Sequence, residues 1–170
     1  MTELPEPGPR HEVAPALLEY LDYFRSMVSR KVLELSTADR GRSVVPTGWT
    51  PEGLLTHLLF MERRWIVWGF CGEDVAEPWG DSGPDEGWRA LPDRTVEQLV
   101  QELAEQGRLT RQIVTGATLT DVASPGGRFS AEAGPTPTLL SILLHVQQEY
   151  ARHAGHLDIA CEILAGVTGE

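Results

Sequence analysis

The chain has 170 residues, 41% hydrophobic and 23% charged, which are the proportions of a globular domain rather than of a collagenous, disulfide-stapled or disordered chain. Its 25 Asp and Glu outnumber 14 Lys and Arg, giving a net charge of -11. That balance excludes the basic footprint needed by nucleic-acid phosphates and by anionic lipid.

The length suits one domain over residues 1–170, with residues 1–10, proline-rich and acidic, expected to be disordered. This opening lacks the basic start and apolar core of a signal peptide. No apolar run approaches the roughly 18 residues of a membrane span. Cys71 and Cys161 lie far apart in no CxxC pattern. A cytoplasmic protein is expected.

Four segments carry helical periodicity and none alternates as a strand. The first runs from about His11 to Leu35, with Leu17, Leu21, Phe24, Val28 and Val32 at steps of three and four. The second begins near Thr50, an N-cap followed by Pro51 and Glu52, and continues through Leu54, Leu58, Met61, Trp65 and Trp68 to about Phe70. A long Gly-, Pro- and Trp-rich connection spans Cys71 to Asp93. The third helix starts near Arg94-Thr95 and turns Val96, Leu99, Leu103 and Val114 inward. Another long loop, Gly116 to Pro137, precedes the last helix, Thr138 to about Leu164. One apolar stripe per helix predicts an all-α four-helix bundle, with its long loops after helices 2 and 3.

Chemistry concentrates in the last helix. His153 falls inside the stripe marked by Leu139, Leu143, Val146, Tyr150 and Leu157, and Glu149 falls at its border one turn earlier. His57 lies between Leu54 and Met61 on the inward face of the second helix. Together they could form a two-histidine, one-carboxylate metal site with an open position. The alternative is a hydrogen-bonded core histidine beside a simple i,i+4 ion pair. His145 and His156 lie further round, either behind the ligands or at the surface, and His11 has no partner in the pattern. Trp79 and Trp88 either anchor the long loop or line a substrate pocket. Both cysteines read as buried hydrophobes.

The segment Gly48-Trp49-Thr50-Pro51-Glu52-Gly53-Leu54-Leu55-Thr56-His57-Leu58, followed by Glu62-Arg63-Arg64-Trp65, resembles the second helix of the DinB-like superfamily. Glu149-Tyr150-Ala151-Arg152-His153-Ala154-Gly155-His156 and Gly166-Val167-Thr168-Gly169 resemble the closing signature of its actinobacterial branch. That branch is related to mycothiol-dependent maleylpyruvate isomerase and the bacillithiol S-transferases.

The resemblance implies a DinB-like bundle, often a homodimer, holding a divalent metal through His57, Glu149 and His153, with zinc or nickel ahead of iron. His145, His156 and Tyr150 would stand behind these ligands. The implied chemistry activates a low-molecular-weight thiol, mycothiol in an actinobacterium, for transfer or isomerisation on a small electrophile. Hydrolysis by metal-bound water, or a non-catalytic metal-binding stress-response bundle, would use the same triad.

Overall fold

Three threonines start three of the long helices. The computed structural model describes residues 4–83, 86–129 and 134–166. It comprises α1 (Val13–Glu34), the single turn α2 (Thr37–Arg40), α3 (Pro51–Trp65), α4 (Val96–Thr115) and α5 (Leu139–Ala165). Thr50 accepts from the Gly53 N–H at 3.0 Å, and Thr138 from that of Ser141 at 3.3 Å. Thr95 and Gln98 form a reciprocal capping box. Gly166, at φ 67°, closes α5 in the left-handed conformation that glycine adopts without strain. The closing motif beyond it lies outside the described residues. Residues 4–10 have no regular secondary structure, and Leu4 packs half-buried against the core.

The second predicted helix reaches Phe70 but changes form. Ile66–Phe70 widens into a π-turn, in which the Cys71 N–H reaches back five residues to the Ile66 carbonyl. The turn leaves two carbonyls for the second long loop. Trp68 accepts from the Arg128 N–H at 3.1 Å, and Phe70 from that of Ser124 at 2.8 Å.

Side-chain pairs set the helix directions. Arg25 with Tyr150 and Lys31 with Asp158 advance together, so α1 and α5 run parallel. Trp65 meets His145, while His57, earlier in α3, meets His153, later in α5; α3 therefore opposes α5. Asp22 meets Arg111 and Arg25, one turn later, lies against Gly107, so α4 opposes α1. Consecutive helices α3 and α4 thus point the same way, and the chain between them must return along the bundle. It does so beside α3, with Trp79 against Arg64, Asp81 against His57, and the Trp88 carbonyl near Gly53.

The core is a continuous apolar cluster that includes Leu21 and Val28 of α1, Leu54, Leu55, Leu58 and Leu59 of α3, Leu99 and Leu103 of α4, and Ile142, Val146 and Leu157 of α5. Among the described residues no strand forms, and no helix is long and apolar enough to cross a membrane.

Candidate metal centre

Three side chains from two opposed helices converge about midway along α3. One donor atom from each of His57, Glu149 and His153 lies within 4.8 Å of the others. The His153 Nε2 stands 3.1 Å from the Glu149 Oε2, and the His57 Nε2 stands 3.8 Å from the same oxygen. Donors held about 2.1 Å from one tetrahedral ion stand roughly 3.4 Å apart, so this set fits a single cation with small adjustments.

The His57 Nδ1 lies 2.9 Å from the Asp81 Oδ2. A carboxylate only accepts, so Nδ1 carries a proton, and in the neutral tautomer this fixes, Nε2 presents a bare lone pair. That Nε2 is buried and has no hydrogen-bond partner among the described residues. An orphaned buried nitrogen facing a carboxylate and a second imidazole suits a cation ligand.

Asp81 is itself pinned. Arg64, two turns beyond His57 on the same face of α3, grips both Asp81 oxygens and the Pro78 carbonyl. Burial alone would raise the Asp81 carboxyl, but hydrogen bonds to His57 and Arg64 outweigh it and hold the group below its ordinary range. Periodicity could not find Asp81, because it lies in a loop. The inward position of Arg64 on the His57 face was a usable sign of a buried anion. Asp81→Asn should keep the shape, lose the charge, and weaken metal affinity about 10- to 100-fold, read by competition with a chromogenic chelator.

His156 stands behind His153, their Nδ1 atoms 3.2 Å apart, so one ring donates to the other. His145 places its Nε2 3.7 Å from the Glu149 Oε1 and packs its ring 4.0 Å from that of Trp65. Trp88 stacks on His57 at 4.4 Å and meets His153 edge-on at 4.5 Å, closing one side of the cluster.

Two expected neighbours lie elsewhere. Tyr150 points away from the ligands and donates to Glu62 at 2.6 Å, because one residue of helix turns its side chain about 100° from that of Glu149. Trp79, 53% exposed, packs on Arg64, Arg128 and Trp68, and makes no ring contact with the three donors. His11 is exposed. Burial raises both cysteine thiols, that of Cys161 to about 11, so neither offers a ready thiolate.

Burial, then the neighbouring His57, pushes His153 from an ordinary 6.5 down to about 4. The unfolded chain therefore takes up this proton first as pH falls. The stability supplied by the neutral ring is complete above about 6.5 and lost as the pH drops through about 4. Melting temperatures of chelator-treated protein should decline across that window, and less steeply in His153→Gln.

The comparisons with known proteins agree with this architecture. A family model described as mycothiol-S-transferase matches residues 16–166. A crystal structure of a conserved protein from Enterococcus faecalis superposes with a TM-score of 0.68 at 15% identity, over 93% of this chain and 100% of that one. Such identity speaks for the fold alone. No curated protein matches the chain.

Proposed function

Since the chain belongs to the mycothiol S-transferase family, we propose that it is a single-domain, metal-dependent enzyme that activates mycothiol for transfer to a small electrophile. The observation that carries this reading is the buried, unpartnered Nε2 of His57, aimed at Glu149 and His153. In the proposal these three residues hold the cation. Bound there, a divalent ion, zinc or nickel ahead of iron, supplies the positive charge that favours the thiolate form of a thiol. Asp81 keeps the His57 lone pair turned inward, and His156 orients the His153 ring. Trp88 shields the two imidazoles from water on one side. With only three protein donors, the site would leave room for a thiol to approach such an ion. The sulfur then forms a bond to carbon as the electrophile's leaving group departs, and the thiol proton passes to solvent.

The proposal includes a cytoplasmic homodimer with no nucleic-acid or membrane partner. The net charge of -11 supports the absence of phosphate contacts, as do arginines paired with carboxylates, among them Arg40 with Glu97 and Arg94 with Glu102. The unpaired cysteines suit a reducing compartment.

The test is metal analysis joined to a conjugation assay. Purified protein should carry close to one equivalent of divalent metal, and His57→Ala should lose it. Conjugation of mycothiol to a chromogenic electrophile should stop on chelation and return on adding metal back. Equal stoichiometric metal in wild type and His57→Ala would overturn the ligand assignment. Turnover of esters without thiol would favour a hydrolase.

A further inference from the structure

Arg128 stands out from most other arginines in this acidic chain. Its guanidinium carbon lies 4.3 Å from the Trp65 ring centroid and 5.4 Å from that of Trp79. Among the described residues no carboxylate lies within ion-pair distance of it. Arg64, the neighbour that shares Trp79, spends both terminal nitrogens on Asp81 and the Pro78 carbonyl. Half-buried Arg128 is therefore a cation held by aromatic faces, with hydrogen-bond donors left over.

Its position is built rather than incidental. Gly126 and Phe129 exchange backbone hydrogen bonds at 3.2 Å, and the Arg128 N–H donates to the Trp68 carbonyl at 3.1 Å. Gly127 has a φ of 52°, and a Cβ there would overlap that same carbonyl. The tight turn docks on the π-turn and presents one long side chain over Trp65. Another contact of the Trp65 ring leads to the proposed metal centre, since it lies 4.0 Å from His145, whose Nε2 is 3.7 Å from the Glu149 Oε1.

We propose that Arg128 recognises an anionic group on the electrophile, so that the site selects substrates carrying a carboxylate near the reacting carbon. A planar guanidinium with free donors matches a carboxylate in two-point geometry. The tryptophans beside it, Trp65 and Trp79, would flank the apolar body of such a substrate. The inference rests on the thiol-transfer reading for its chemistry, but the binding step can be tested alone.

Calorimetry should show metal-loaded protein binding 4-methylbenzoate at least about 10-fold more tightly than 4-methylbenzamide. Arg128→Gln should bring that ratio close to one, and Arg128→Lys should restore part of it. In the matching assay the thiol sulfur displaces bromide from 4-(bromomethyl)benzoate or its amide. The carbon–sulfur bond forms, bromide leaves with the bonding pair, and the proton goes to solvent. After correction for the uncatalysed rates, kcat/KM should favour the carboxylate, through KM, in wild type and lose that preference in Arg128→Gln. Equal binding of the two ligands by wild type, or an unchanged ratio in Arg128→Gln, overturns the inference. Glu132, four residues along the chain, is the control. If Glu132→Gln lowers the melting temperature as much as Arg128→Gln does, the cation serves its own chain and the inference also falls. Selective binding without any turnover would instead count against thiol transfer and leave the anion site standing.

Discussion

Glu149→Gln is expected to lower metal-dependent thiol conjugation at least about 100-fold, a loss beyond that of removing a group behind the ligands. The Glu149 Oε2 stands 3.1 Å from the His153 Nε2 and 3.8 Å from the His57 Nε2, so it is the shared corner of the donor set. Glutamine keeps the volume and the helix but removes the only negative charge among the three donors. The bland reading of the same geometry is an i,i+4 pair between a carboxylate and an imidazole. That pair would be worth only about 0.5 kcal/mol of stability and nothing in catalysis. The two readings differ by orders of magnitude in one assay. A Gln variant that conjugates mycothiol at the wild-type rate would remove Glu149 from the site.

A second large effect is expected far from the chemistry. Glu62 of α3 is fully buried and accepts from Arg25 of α1 through two nitrogens, at 2.9 and 2.7 Å. It also accepts from the Tyr150 hydroxyl of α5 at 2.6 Å and from the Thr110 hydroxyl of α4. All four long helices meet on this carboxylate. Burial works against the Arg25 charge, but Glu62 outweighs it and raises its pKa; burial raises the Tyr150 hydroxyl, so it remains a donor.

Glu62→Leu leaves a buried guanidinium with Asp22 as its remaining partner and strips an acceptor from two hydroxyls. The expected cost is about 3–5 kcal/mol, a large part of a typical domain's stability. Urea unfolding reads it directly. Replacing the group together, as Arg25→Met, Glu62→Leu and Tyr150→Phe, should recover most of the loss, because no unpaired charge remains. If Glu62→Leu alone is neutral, the network adds nothing to stability.

Much of the molecule was readable from local pattern. Helix starts at Thr50, Thr95 and Thr138 follow from a hydroxyl that satisfies an otherwise free N–H within three residues, and such chemistry needs no tertiary partner. The convergence of His57, Glu149 and His153 was legible too, since helical phase places each on an inward face and four helices have one interior. Glu62 offered a sign that went unused: it continues the stripe of Leu55 and Leu58, where a carboxylate must find partners.

Phase tells which way a side chain points, but not what it meets. Tyr150 was legible as inward, yet its partner depends on how α1, α3 and α4 pack around it, and that turned it to Glu62. The division between Trp88, on the imidazoles, and Trp79, on the arginines, was hidden for a related reason. Both sit in a connection without periodicity, whose course is imposed by α3 and α4 running in the same direction. Asp81 reaches His57 only because that return path lies along α3, a long-range constraint that no local run of residues encodes.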